Sequence, residues 1–442
     1  ADKTGDEIAL RFSTFDPAAK RWSAPVSIME DGRSFHLLEW PGVFPTVSLG
    51  VSGRATVAGI FGYAAHNLET GVWFRPTADG GKTWGTVAWL SQDSTLDIEY
   101  VTLTTLADGR ILVTWIDGRD YRKRVKNVMQ LFARILGESG PDMLIDPSVP
   151  RFSQLALTAF PDGGALVAYN GLTEDNHFTV RTARFRGRKW DSAQTMDHDI
   201  GRPAGPRLAS DGGRVAAAWF NAADNDPRVL ASYSPDAGTR MLMPLRIDRG
   251  KPTGYVDTLI LHDGALLVTW LEADGSVWLR RVTPEFTANE AVQLAPPGTA
   301  GVKTVPHIAL VSDYSGGKTS AQMVAVFAGN GAALLRTFLV TVPEGELLAT
   351  TRDCNCSPTP EQLAGFPIRA AVAAVAAERG AVRVQHEEIP GLLAAGVHEF
   401  RAAPEVIAAL AADRQILGRI EQRTGAWWIF DVRLLAQPVS EK

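Results

Sequence analysis

The sequence predicts an all-β chain: a six-bladed β-propeller followed by a small OB-like β-barrel domain. Three observations predict it. One hairpin pattern repeats through most of the first 345 residues. One loop carries the residues of a carboxylate-capped outer turn. The repeat then stops at a Pro-containing break, beyond which short strands flank one short helix.

The repeat is explicit at Gly109–Trp115, Asp162–Tyr169, Asp211–Trp219 and Asp263–Trp270. Each copy is a polar turn, a run of small or apolar residues, then a large aromatic. Weaker copies stand at Ser52–Ile60 and Ser315–Phe327. A spacing of about 50 residues built on short strands signals a propeller or a related array. Continuous apolar runs between turn residues suit strands buried on both faces, as inner strands are where blades pack together. Ala216, Ala217 and Ala218 suit the crowding near the axis. Six hairpins imply six blades. The strands Ile8–Ser13 and Val26–Met29 precede the first hairpin. They are expected to close the ring by completing the last blade, near residues 305–343, because closure hides exposed strand edges.

An outer half-blade reads from Val72 to Trp84 and contains Thr77-Ala78-Asp79-Gly80-Gly81-Lys82-Thr83-Trp84. A carboxylate there caps backbone N–H groups, glycine supplies positive φ, and the tryptophan packs beneath the next strand. A decayed copy stands at Ser234-Pro235-Asp236-Ala237-Gly238. Both turns are structural and sit away from the axis.

The domains expected are residues 1–345, a linker at 346–366 holding Cys354 and Cys356, and a barrel at 367–442. In the last part, Arg369–Ala376 and Ala381–His386 pair around Glu378-Arg379-Gly380. Pro404–Ala411 is a short helix with Pro at its start. Gln415–Glu421 and Ala426–Leu435 pair around Thr424-Gly425. Short strands and one helix in so few residues suggest a small closed barrel.

Composition narrows function. The 442 residues carry a net charge of -5, so the basic surplus of a dedicated nucleic-acid binder is missing. No apolar run reaches membrane-spanning length. The start at Ala1 reads as a processed terminus, left by signal-peptide removal or by tag cleavage. The expected location is periplasmic or secreted. The two cysteines, Cys354 and Cys356, are too few for a stapled scaffold. A bridge between them is geometrically awkward. They are either ligands for a soft metal ion or an unused reduced pair.

The propeller resembles the BNR/Asp-box group of the sialidase superfamily, nearest to an exo-sialidase-like bacterial branch. The residues that carry this are the Thr77–Trp84 turn, Trp115-Ile116-Asp117-Gly118-Arg119, Gly205-Pro206-Arg207, Ala218-Trp219-Phe220-Asn221, Pro227-Arg228-Val229 and Tyr255-Val256-Asp257. The resemblance implies an arginine cluster for a substrate carboxylate, with Arg119, Arg207 and Arg228 as candidates. Strand-end salt bridges are the alternative role. The family's F-R-I-P type motif has no counterpart, since Phe74-Arg75-Pro76 belongs to the outer strand. Sialidase turnover is therefore not expected, and no catalytic residue is assigned.

The C-terminal domain resembles the CusF-like periplasmic copper-binding fold over Gly380–Phe400. His386 falls on the family's histidine ligand and Phe400 on its apolar anchor. The Met-x-Met pair falls on Gly396 and His398, and the copper-capping Trp falls near Leu393. The resemblance implies a metal site from His386 and His398, with Cys354 and Cys356 as further donors. Copper is the expected ion and zinc the alternative. A barrel that kept its fold and lost its metal is the other reading.

In the propeller, His36, His66, His177, His198 and His307 fall in or beside the connections that line one face, where ligands bind. They are candidate ligands there, or else solvated loop residues. Glu39 and Trp40 share that face. The expected function is exported bacterial copper or other metal handling, with the propeller as a binding platform. The alternative is a sialidase-superfamily glycoside hydrolase or glycan-binding protein, and a third option is an interaction scaffold. The partners in view are a metal ion, a periplasmic protein or a glycan.

Overall fold

The computed structural model describes residues 2–4, 7–30, 35–37, 45–63, 70–90, 98–119, 128–173, 175, 177–197, 201, 203–222, 226–301, 304–312, 320–329, 335–343, 366–386, 393–412, 414–423 and 426–434. Six antiparallel sheets follow one another along the first part of the chain, each built from consecutive strands. Sheet I holds Thr46–Leu49, Ala55–Tyr63, Thr70–Thr77 and Ala88–Trp89, with Phe35–Leu37 added on the end of Ala55–Tyr63. Sheet II holds Ile98–Thr105, Ile111–Asp117, Met129–Ile135 and Met143–Val149. Sheet III holds Leu155–Ala159, Ala165–Leu172, Phe178–Phe185 and Gln194–Thr195. Sheet IV holds Pro203–Asp211, Arg214–Asn221, Arg228–Ser234 and Leu245–Arg246. Sheet V holds Pro252–Ile260, Leu266–Glu272, Val277–Val282 and Val292–Ala295. Sheet VI holds His307–Ser312, Ser320–Ala328 and Leu335–Pro343.

The repeated turns work as their residues require. Asp108, Asp162 and Asp263 each accept the backbone N–H two residues on, at 2.8–3.0 Å. The glycine after each aspartate has positive φ, at 85°, 82° and 89°. The strand that follows is buried, and its closing aromatics Trp115, Tyr169, Trp219 and Trp270 are at most 1% exposed. Apolar clusters join I to II, II to III, III to IV, IV to V and V to VI. Sheets II to V are thus core elements on both faces, which explains why their second strands read as unbroken apolar runs.

The outer turns of sheets I and IV share one hydrogen-bond plan. Asp79 accepts from Thr77 Oγ1 (2.9 Å), Thr83 N (2.9 Å) and Thr83 Oγ1 (2.6 Å), and Gly81 N donates to Thr77 Oγ1. Ser234, Asp236 and Gly238 repeat this, with Arg240 in the place of Thr83.

The N-terminal strands depart from expectation. Asp2–Thr4, Glu7–Phe12 and Val26–Glu30 form a sheet of their own, and among the described residues none pairs with sheet VI. Their apolar face matches sheet I instead. Leu10, Ile28 and Met29 pack on Val57, Phe61 and Trp73. Phe12 meets Trp84 edge-on at 5.0 Å, and Arg75 Nη1 donates to Ile28 O at 2.6 Å. Sheet VI is reached by a side chain: Trp22 Nε1 donates to Thr337 Oγ1 at 2.9 Å.

The last part is a closed barrel of Phe366–Ala376, Ala381–His386, Gly396–Arg401, Ala426–Leu434 and Gln415–Arg423, in that order around the ring. One parallel bridge, Arg401 to Trp428, closes it. Val372, Val382, Val384, Phe400, Ile416, Ile420 and Ile429 fill the interior, and the helix Pro404–Ala409 contributes Ile407. Pro404 opens that helix because its missing N–H is one the first turn leaves unbonded anyway. Cys354, Cys356 and nearly all of the expected linker lie outside the described residues. Among the described residues, no helix is long and apolar enough to cross a membrane.

Candidate functional site

The first strands of sheets I, II, III, IV and VI converge on a recess of about 270 Å³. Pro45, Thr46 and Val47 come from sheet I and its approach. Tyr100, Val101 and Thr102 come from sheet II, Gln154 and Leu155 from sheet III and its approach, Gly205, Pro206 and Arg207 from sheet IV, and His307 from sheet VI. A pocket lined by the first strand of successive sheets lies at their common axis.

The backbone is irregular at this level. Pairing slips between Ile98 and Tyr100, between Ala204 and Arg207, and between Pro252 and Val256. Such bulges re-aim side chains and cluster beside functional sites. The slip in sheet IV surrounds Gly205, at φ 60°. A Cβ there would lie 3.1 Å from Gln154 Oε1 and 3.4 Å from Gly254 O, so only glycine leaves that wall open.

The recess has a polar cluster. Asp257 Oδ2 accepts from His307 Nδ1 at 3.2 Å and from Ile308 N at 3.1 Å, tying sheet V to sheet VI. Burial pushes the Asp257 carboxyl up, but the His307 hydrogen bond, the charges of His307 and Arg207, and the Ile308 N–H together hold it below the usual range. Donation from Nδ1 directs the second imidazole nitrogen, Nε2, away from Asp257. Arg207 Nε donates to Val256 O at 3.3 Å. Tyr100 is 7% exposed, and burial together with the nearby Glu99 charge pushes its phenol up to about 12. Its hydroxyl makes no hydrogen bond to the described residues. Gln154 Oε1 is buried without a protein partner. Glu99 is engaged elsewhere, accepting from Arg151 Nε at 2.8 Å and Phe152 N at 2.6 Å.

Of the three candidate arginines, Arg207 alone lines the recess. Arg119 is held by Asp117 (2.5 Å) and Asp142 (3.1 Å) and stacks over Phe132 at 4.4 Å. Arg228 Nε reaches Asp226 O at 3.4 Å. The implied cluster is not assembled, because the strand-end ion pair claims Arg119. Of the five histidines, His307 lines the recess. His177 is exposed beside Thr173, whose Oγ1 accepts its backbone N–H at 3.1 Å. His36 pairs with Gly62 in sheet I. His66 and His198 lie outside the described residues, as do Glu39 and Trp40.

In the barrel, His386 Nε2 and His398 Nδ1 stand 2.7 Å apart, with ring centroids at 4.8 Å. His386 is buried on the same face of its strand as Val384, with its ring 6.0 Å from that of Phe400, and half-buried His398 shares the face of its strand that carries Phe400. One imidazole donates to the other across that distance. A shared tetrahedral ion with ~2 Å bonds would need the nitrogens ~3.3 Å apart. Among the described residues no group of three His, Cys, Asp or Glu stands ready to hold a metal.

Sequence reading flagged Arg207 and His307 but passed over Tyr100 and Gln154. Tyr100 reads as one more strand aromatic, and it does pack in the core between sheets II and III while also lining the recess.

No family model and no curated protein matches the chain. Solved structures do. A lectin from Burkholderia pseudomallei matches with TM-score 0.50 and 12% identity over 72% of this chain and 85% of the lectin. An α-L-arabinanase from Penicillium chrysogenum matches with TM-score 0.44 and 12% identity, over 70% of this chain and 94% of the enzyme. A protein of unknown function from Dyadobacter fermentans matches with TM-score 0.46 and 13% identity, over 71% of this chain and 98% of its own. Successive antiparallel sheets around one axis, together with the lectin match, make the fold a β-propeller.

Proposed function

We propose that the protein binds a glycan in the axial recess of a six-bladed propeller, with an OB-like barrel attached. The observation that carries this is the recess wall. Arg207, the Asp257-backed His307, the Tyr100 hydroxyl and the unpartnered Gln154 Oε1 surround a volume suited to one or two sugar residues. Saccharides present hydroxyls for such groups and an apolar ring face for an aromatic. The lectin named above supports the fold only. The test is calorimetric titration of the full chain with acidic and neutral oligosaccharides, beside Arg207→Ala and Gln154→Ala. Binding weakened by both substitutions is expected. Equal affinity in all three proteins would move the site elsewhere.

A second reading concerns the barrel. The adjacent His386 and His398 favour a copper or zinc site that forms when the imidazoles part slightly, with Cys354 and Cys356 as further donors. Titration of the full chain with Cu(I), Cu(II) and Zn(II), beside a His386→Ala, His398→Ala double variant, tests it. Stoichiometric binding lost in the variant is expected. Identical titrations would leave the pair a hydrogen-bonded plug.

A further inference from the structure

We propose that the recess cleaves a uronic-acid-containing glycan by β-elimination, an inference that rests on the glycan-binding reading. Three side chains of different chemistry line it: the guanidinium of Arg207, the imidazole of His307 and the hydroxyl of Tyr100. In most glycoside hydrolases, hydrolysis of the glycosidic bond uses a pair of carboxyl groups flanking that bond. No Asp or Glu lines the recess among the described residues. Asp257 is turned to His307 and Ile308, and Glu99 to Arg151 and Phe152. What lines the site is a cation, a base and an acid, the set that removes a proton next to a carboxylate.

The step balances within the substrate and these groups. Arg207 pairs with the carboxylate on C5 of the uronate and makes the C5 hydrogen more acidic. His307, oriented through Nδ1 by Asp257, takes that hydrogen as a proton on Nε2. The C5–H electron pair becomes the C4–C5 double bond. The C4–O4 bond breaks, and the departing oxygen takes the Tyr100 hydroxyl proton. Imidazolium and phenolate then restore one another by proton transfer through solvent. No water is consumed and no oxidant is needed. Tyr100 has the acid role because it lines the recess and, as any phenol does, keeps its proton at neutral pH. Gly205 leaves room for the chain beside Gln154.

The experiment incubates the full chain with polygalacturonate, alginate and hyaluronate, and with neutral dextran as a control. Ultraviolet absorbance of the conjugated double bond is followed, product masses are measured, and polymer binding is recorded in parallel. A rise in absorbance with at least one acidic polymer is expected, with fragment masses summing to the parent mass without added water. Tyr100→Phe and His307→Asn should each lower the rate by about 100-fold or more while polymer binding persists. Arg207→Met should lose binding and rate together. Unchanged circular dichroism certifies that each variant folds. Binding without absorbance change, or fragments that have gained water, overturns the elimination and leaves the glycan reading intact. Binding to dextran alone does the same. Failure to bind any of the four overturns both.

Discussion

The indole of Trp270 donates its N–H to the carboxylate of Glu272, two residues further along the same strand, over 2.7 Å. The relation recurs around the ring. Trp219 donates to Asp197 at 2.6 Å, Tyr169 to Asp146 at 2.7 Å and Trp115 to Asp117 at 3.4 Å. In these four, the large ring that fills a sheet-to-sheet space carries one polar hydrogen, and a buried carboxylate receives it. Those carboxylates also bind backbone N–H groups of the adjoining loops, as Glu272 does Lys251 N and Asp117 does Arg119 N.

Trp270→Phe keeps most of the apolar bulk and removes the donor. The expected loss is about 1–3 kcal/mol in urea unfolding, the typical cost of stranding a buried polar group. The pH dependence has a definite sign. Burial is the main cause that holds Glu272 above its ordinary value. The folded state then keeps the proton longer than the unfolded chain, so this residue's contribution falls as pH rises from the unfolded value through the folded one. Without the indole donor that elevation grows. The variant should lose more stability at pH 8 than at pH 5, and a constant difference would refute the coupling.

Asp79→Asn should loosen the outer turn of sheet I. Hydrogen bonds from Thr83 hold Asp79 at about 2, against an ordinary 3.8. Its contribution is present above the unfolded value and disappears as pH falls through about 2. Melting curves of wild type and variant should differ at pH 6 and converge near the acid limit.

Gly71→Ala should cost about 1–3 kcal/mol by overpacking. A Cβ at Gly71 would come within 2.5 Å of the Phe61 ring, which lies across it from the neighbouring strand. The adjoining pair Gly59 and Trp73 has the same arrangement, so chemical denaturation of Gly59→Ala should show a similar loss.

Arg119→Ala should destabilise without touching ligand binding. It strips a charged partner from Asp117, which is 0% exposed, and a loss of about 2–3 kcal/mol follows. Glycan affinity equal to wild type, measured below the unfolding range, is the expected companion result. A selective loss of affinity would return Arg119 to the binding surface.

The sheets were legible because their sequence signal is local. An Asp-Gly turn followed by an apolar run and an aromatic specifies one hairpin without reference to the rest of the chain. The barrel strands were legible for the same reason, down to Gly380 at φ 59° in its turn. The N-terminal sheet was misplaced because its partner is chosen by shape, through Phe12, Trp84 and Arg75, and period alone says nothing of that. The recess was half legible. Arg207 and His307 are types that draw notice, while Tyr100 and Gln154 matter only through their place on the recess wall. That His386 and His398 belong together was legible only through the resemblance, and their direct 2.7 Å approach depends on side-chain rotation.

The bond from Trp22 to Thr337 joins residues 315 apart in the chain, whereas the strand pairings in the six sheets join neighbours in sequence, apart from Phe35–Leu37, which reaches past one strand to Ala55–Tyr63. Folding can therefore run sheet by sheet at low contact order, each hairpin forming before the next is needed. Ring closure is the one event that waits for both ends. During synthesis the N-terminal strands can settle on sheet I early, and Trp22 must then hold its place until sheet VI emerges. The last kinetic phase of refolding should accordingly be the one that Trp22 fluorescence reports.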